Sequence, residues 1–290
     1  MKPALLLASF LLFCNATMAQ AGEPTSPDAG TSSSEAQRTN LFRTILRDEA
    51  HMWTNPFRHG SYSSHTFSKY VLPFTLITGG LIASDHRTSN LLPNTSDQAR
   101  WSLRVSQVGA PYTIAGIAAA YLLVGKLGGH PKAEETGILG LEAVAHSQLI
   151  TLGLKYITRR ERPFDFHAKG GGGTAFWKGG DSFPSGHASG SFALATVLAY
   201  EYGRDHHWIP YVTYGLATLV AASRFSGEKH WLSDLFVGST TGFLIGRYVY
   251  KHHHDPGVET GIRARLKKVT PEFNLGLRGF SAQWNLGRHA

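Results

Sequence analysis

Pro184-Ser185-Gly186-His187-Ala188-Ser189-Gly190-Ser191-Phe192-Ala193-Leu194-Ala195-Thr196-Val197-Leu198-Ala199-Tyr200 is the stretch on which the fold turns. Pro and Ser at its front are residues that start helices, and an apolar run with no breaker after Gly190 follows. The same texture recurs outward in both directions. Six apolar stretches of helical character fall near residues 69–84, 106–126, 137–158, 186–203, 208–222 and 232–250, separated by Gly, Pro or charged residues. No strand-like alternation interrupts them, so the expected fold is all-α, a six-helix bundle. Most stretches are shorter than the roughly 20 residues of a membrane span, and Glu142, His146 and Gln148 interrupt the third. The mean hydropathy of −0.15 also suits a soluble or shallowly inserted bundle. Polar groups facing a central site would lower hydropathy in a membrane enzyme too, and both settings stay open at this stage.

The flanks read differently. Lys2 followed by the apolar run Ala4 to Phe13 and small residues near Ala19-Gln20-Ala21 has the zones of a secretory signal peptide, expected over residues 1–21. Residues 22–40 are rich in Ser, Thr, Gly and Pro and read as a disordered linker, followed by an N-terminal extension over 41–68. The expected core spans 69–251. Over 252–290 a basic tail is expected, in which alternation at Phe273, Leu275 and Leu277 and again at Phe280, Ala282 and Trp284 suggests a short hairpin.

The chain has 290 residues, a formal charge of +8 and a single cysteine, Cys14, inside the segment expected to be removed. A mature chain without thiols excludes a disulfide framework, a cysteine nucleophile and a cysteine-based zinc site. The positive charge favours anionic partners such as phosphoesters or acidic lipids. No aromatic-interleaved basic motif or DNA-reading helix accompanies it, so nucleic acid is not an expected partner.

Three short islands carry the chemistry. In the first, Lys155 precedes Arg162-Pro163 by seven residues, a spacing that on one α-helix puts both cations on nearly the same face. Taken alone it also reads as a solvated basic helix end with Arg159 and Arg160. In the second, Pro184-Ser185-Gly186-His187 opens a helix whose free amides and dipole suit an anion, with Ser185 as a further donor and His187 as a proton carrier. In the third, Arg224 offers a planar fork for two phosphate oxygens. There too, His230 and Asp234 are spaced so that one helical turn would let the carboxylate hold one imidazole nitrogen and free the other.

In this order and with these spacings, Lys155, Arg162, Pro163, Pro184, Ser185, Gly186, His187, Ser223, Arg224, His230 and Asp234 resemble the signature of the type-2 phosphatidic acid phosphatase and haloperoxidase superfamily. The resemblance covers roughly residues 69–250. It implies a metal-independent phosphatase that hydrolyses phosphate monoesters or pyrophosphates through a phosphohistidine, with no cofactor. By motif position, His230 would attack phosphorus, Asp234 orient it and His187 serve as acid and then base. Lys155, Arg162, Ser185, Gly186 and Arg224 would hold the phosphoryl oxygens. Two alternatives accompany it: a vanadate-dependent haloperoxidase, in which the pocket holds vanadate, and a non-catalytic anion-binding membrane protein. Export implies a periplasmic site, soluble or at a membrane surface. His252, His253 and His254 are expected to be a solvated helix end, and Phe164, Phe166, Phe176, Trp177 and Trp231 either receive an apolar tail or pack the core.

Overall fold

The structure is a computed structural model and describes residues 47–50, 52, 67–93, 95–171, 173–255, 257, 272–276 and 279–283. The expected signal peptide and linker lie outside the described residues. A short π-helical entry, Phe67–Val71, leads into α1 (Leu72–Ser89), followed by α2 (Ser96–Ser106). Then come α3 (Pro111–Gly128), α4 (Pro131–Thr158), the one-and-a-half-turn α5 (Pro163–Ala168), α6 (Gly186–Tyr202), α7 (Ile209–Ser226) and α8 (Leu232–His253). Six of these helices answer to the six apolar stretches. The fold is helical as expected, with α2 and α5 as additions that periodicity did not suggest. Two five-residue strands, β1 (Glu272–Gly276) and β2 (Gly279–Gln283), pair antiparallel in the tail.

Local chemistry sets the helix ends. Proline stands in the first turn of α1, α3, α4, α5 and α7, where its missing N–H leaves no hydrogen bond unmade. Thr95 caps α2 by accepting from the Gln98 amide at 3.3 Å, and Ser185 caps α6 by accepting from the Ala188 amide at 3.4 Å. α4 stops at Thr158 because Arg159 turns left-handed with φ 43° and returns its amide to the Lys155 carbonyl. This corrects the expectation that Lys155 and Arg162 share one helix. Arg162 lies beyond that stop in an extended conformation, and Pro163 begins the next helix instead of ending the previous one.

α6 is the central helix and packs on α8, α4 and α7. Its approach to α8 depends on a glycine at every fourth position of α8. A Cβ at Gly238 would lie 2.6 Å from the Ser185 carbonyl oxygen, one at Gly242 2.0 Å from that of Ser189, and one at Gly246 2.5 Å from that of Ala193. The two backbones therefore meet with no side chain between them. Leu139 and Ile150 of α4, Val197 of α6 and Val237 and Val249 of α8 fill the shared core, and Met52, 2% exposed, joins them from the N-terminal segment.

Large apolar side chains also stand outside the bundle, among them Leu76 on α1, Leu127 on α3, Leu152 on α4 and Tyr211 on α7, all at least 65% exposed. The segments Ser96–Gly128 and Pro131–Ala168 are long and apolar enough to cross a membrane.

Candidate active site

The three islands meet where the C-terminal end of α4, the N-terminus of α6, the end of α7 and the start of α8 come together. The loop between α5 and α6 closes the group. It carries Asp181 and Ser182 and a cis peptide between Phe183 and Pro184.

Lys155 and Arg162 are brought together by a carboxylate, not by a shared helix. Arg162 donates from Nε and Nη2 to the two oxygens of Asp181 at 2.8 and 2.9 Å. Lys155 Nζ donates to the Asp181 main-chain carbonyl and lies 3.9 Å from Oδ2. Asp181 is 61% exposed, so this carboxylate sits at the rim. Its pKa is held below the ordinary value, since the Arg162 hydrogen bonds and the Lys155 charge outweigh the upward push of burial. Arg224, at the end of α7 and 8% exposed, makes one long bond from Nη1 to Ser106 Oγ at 3.3 Å, and its Nε has no partner among the described residues. Burial, and next the Arg162 charge, lower its pKa to about 10.

The histidines differ from the simple helical-turn expectation. His230 precedes α8, whose cap is Trp231, so it is not on a turn with Asp234. Its Nδ1 lies 3.6 Å from Asp234 Oδ2, beyond a hydrogen bond, but 2.8 Å from the Ser182 carbonyl oxygen. A carbonyl can only accept, so Nδ1 carries the proton and Nε2 keeps its lone pair. His230 is 1% exposed. Burial is the largest influence on it and outweighs the raising effect of Asp234, so its pKa falls to about 4. His187, half-buried in the first turn of α6, falls further, to about 3, through burial and then the charges of Arg224, His230, Lys155 and Arg162. Both rings are neutral near pH 7 when no anion is bound.

Asp234, fully buried at the third position of α8, anchors a network that the motifs did not reveal. Its Oδ2 accepts from the Trp231 amide at 2.9 Å and from Ser182 Oγ at 2.5 Å. Its Oδ1 accepts from Arg160 Nη1 at 2.5 Å. The same Nη1 reaches Ser233 Oγ at 2.7 Å, and Nη2 reaches Asp85 Oδ2 at 2.7 Å. Asp85, on α1, also accepts from the Ser233 amide at 3.1 Å and from its hydroxyl. Burial raises the pKa of Asp85 despite Arg160, whereas Asp234 is lowered, because Arg160 and the His230 and Ser182 contacts overcome burial. Arg160 therefore is no part of a solvated helix end: it is 3% exposed and lies over the faces of Phe176 and Trp231, 4.5 and 5.2 Å from their centroids.

Ser185 and Gly186 sit where the motif predicts. The Ser185 amide donates to the Asp234 carbonyl at 3.0 Å, which ties the α6 cap to α8, and the Gly186 carbonyl accepts from Gln148 Nε2 at 3.1 Å. Of the five aromatics near the islands, Phe166, Phe176 and Trp231 are buried packing, while Phe164 and Trp177 are exposed. A second correction concerns the triple histidine. His252 is exposed, but His253 and His254 turn inward onto buried carboxylates, with side chains 18% and 13% exposed.

A helical bundle that gathers three cations, two imidazoles and a buried carboxylate at its helix ends has the chemistry to hold an oxyanion. Residues 137–257, which contain all three islands, match the PAP2 superfamily model. Among curated relatives, a lipid A 1-phosphatase of Porphyromonas gingivalis is 37% identical over 70 residues, 24% of this chain and 16% of that protein. A probable diacylglycerol pyrophosphate phosphatase of Schizosaccharomyces pombe is 35% identical over 86 residues, 26% of this chain and 31% of that protein. The chain thus spans less than a third of the length of the curated relatives it matches. A crystal structure of a transmembrane PAP2-type phosphatidylglycerolphosphate phosphatase from Bacillus subtilis aligns over 79% of this chain and 96% of that one, with 17% identity and a TM-score of 0.43.

Proposed function

We propose that the protein is a phosphatase of lipid phosphates or pyrophosphates, working at a membrane through a phosphohistidine on His230. The observation that carries this reading is the pairing of His230 Nδ1–H with the Ser182 carbonyl at 2.8 Å, which leaves Nε2 as a free nucleophile in the field of Lys155 and Arg224. Phosphoryl transfer needs positioning and charge stabilisation more than elaborate covalent chemistry, and three fixed cations supply the second requirement. The activities for which the relatives are named, on lipid A and diacylglycerol pyrophosphate, favour a lipid, as do the exposed apolar side chains of α1, α3 and α7.

His230 Nε2 forms a bond to phosphorus while the bond to the leaving oxygen breaks, and His187 gives that oxygen a proton. His187 is neutral in the free site, so it takes up a proton from solvent as the substrate binds, because the substrate's negative charge offsets the cations that add to burial in depressing its pKa. Water then attacks the phosphohistidine, its proton passes to His187, and His230 is released with orthophosphate. Lys155, Arg162 and Arg224, with the Ser185 and Gly186 cap, hold the non-bridging oxygens throughout. Export to the periplasm, expected from the first 21 residues, would set this site outside the cytoplasm.

The test is turnover by the purified full chain in EDTA on phosphatidic acid, isoprenyl pyrophosphate and p-nitrophenyl phosphate, with rapid acid quench to trap acid-labile phosphate on the protein. Phosphate release with label on His230 is the expected result. Absence of turnover together with vanadate-supported bromide oxidation would overturn it in favour of the peroxidase.

A further inference from the structure

The most unusual polar cluster outside the active site joins the N-terminal segment to α4. Glu142 and His146 stand four residues apart on one face of α4, and Asp48 faces them. One ligand atom from each lies within 4.8 Å of the others, and the residues are 2%, 0% and 4% exposed respectively. Among the described residues His146 Nε2 has no hydrogen-bond partner, and Asp48 Oδ2 and Glu142 Oε1 have none of acceptable geometry, their nearest polar neighbour being the His253 ring at 3.0 and 2.8 Å. His146 is also held in a defined way: its Nδ1 lies 2.7 Å from Glu49 Oε2, which directs Nε2 toward Glu142 Oε1 at 3.9 Å. A carboxylate behind one imidazole nitrogen, with the other nitrogen free and aimed at further carboxylates, is the arrangement of a metal-binding histidine with its outer partner.

We propose that Asp48, Glu142 and His146 bind a divalent first-row metal ion of the zinc kind, with Glu49 orienting His146. One imidazole and two carboxylates match the ligand preferences of such an ion and are too nitrogen-rich for a calcium site. Along α4, His146 is nine residues from Lys155, about 13 Å at the helical rise, so the ion takes no part in the chemistry at His230. Its role is to clip the segment of Asp48, which also delivers Met52 to the core, onto the bundle. The competing occupant of the same space is His253, 3.0 Å from Asp48 Oδ2 and 2.8 Å from Glu142 Oε1, yet its Nδ1 and both carboxylate atoms are without a hydrogen bond of acceptable geometry.

Tag-free full-length protein, stripped with EDTA and dialysed, is titrated with Zn²⁺ by calorimetry, and its bound metal is counted by mass spectrometry. The expected result is one zinc per chain, a Co²⁺ derivative with visible absorption and a raised melting temperature. Glu142→Gln and His146→Ala should weaken binding at least about 100-fold, and Glu49→Gln about 10- to 100-fold. The exposed His252→Ala and the neighbouring His254→Ala should leave binding unchanged. If His146→Ala does not fold, Glu49→Gln decides, because it removes no ligand. No stoichiometric zinc in folded protein, or zinc binding that survives Glu142→Gln and Glu49→Gln, would overturn the proposal and leave His253 as the sole counter-charge of the two carboxylates. Neither result bears on phosphate hydrolysis, which is measured separately in EDTA.

Discussion

Replacing Arg160 with methionine tests the buried network at its centre. In the native chain one guanidinium serves two carboxylates, Asp85 at 2.7 Å and Asp234 at 2.5 Å, with exposures of 2% and 0%, and a hydroxyl, Ser233, at 2.7 Å. Methionine preserves most of the stem and its contact with Phe176 and Trp231 but leaves two carboxylates buried without their cation. Removing one partner of a buried pair costs about 3–5 kcal/mol, so Arg160→Met should destabilise by that amount. Asp85→Asn in the same background removes one of the stranded charges and should recover about half, a coupling that a double-mutant cycle reads directly. Arg160→Lys keeps the charge but cannot span both carboxylates with fixed N–H directions, so stability should recover more than turnover. Urea unfolding followed by tryptophan fluorescence gives the stabilities, and kcat with p-nitrophenyl phosphate gives the second readout. A loss below about 1 kcal/mol in Arg160→Met, or no recovery on adding Asp85→Asn, would refute the reasoning, because it would mean that the carboxylates bind protons without consequence.

Three further predictions rest on separate observations. Stability should rise with pH between about 4 and 6.5: His230 has its pKa lowered to about 4 in the fold, the unfolded chain takes up that proton near 6.5, and the difference is worth about 3 kcal/mol. Melting temperatures at pH 4.5, 6 and 7.5 check this, and His230→Gln should reduce the dependence while abolishing turnover, leaving the part that His187, lowered to about 3, contributes in the same direction; a flat wild-type profile counts against the buried neutral rings. Asp181→Asn should tighten inhibition by orthophosphate about three- to fivefold, a modest change because the pair is exposed, and unchanged or weaker inhibition would mean that Asp181 does not compete with the substrate for Arg162. Gly242→Ala should cost about 1–3 kcal/mol in urea unfolding because its Cβ would meet the Ser189 carbonyl at 2.0 Å, whereas Gly215→Ala, with nothing within 4 Å, should gain up to about 1 kcal/mol; equal effects at the two sites would contradict the close packing of α6 on α8.

The helices and the meeting of the three islands were legible in the sequence, because apolar periodicity and motif spacing are local or nearly local signals. What escaped was what depends on tertiary partners. Arg160 has the look of a solvated residue, and only the arrival of Asp85 from 75 positions away in α1 makes it a buried cation. Ser182 gave no signal because it acts through its carbonyl as well as its hydroxyl. The seven-residue spacing of Lys155 and Arg162 suggested one helix, but Arg159 adopts a left-handed conformation that no propensity rule favours for arginine. The triple histidine misled for a related reason: helical neighbours point in different directions, so His253 and His254 each found separate carboxylates while His252 stayed in solvent.

The two groups of cations differ in how they are neutralised, and that difference adds to the effect of burial on the histidines. Arg160 is matched by two buried carboxylates, so its charge is spent within the scaffold and serves to hold Asp234 still. Lys155 and Arg162 share a single rim carboxylate, Asp181, and Arg224 pairs with no carboxylate among the described residues. The local field is therefore positive where His187 stands, and it adds to burial, the larger cause, in bringing its pKa to about 3. On the phosphatase reading proposed above, an entering phosphate dianion would offset that field at the same moment as it offers a leaving oxygen, and proton uptake by His187 would then be coupled to substrate binding.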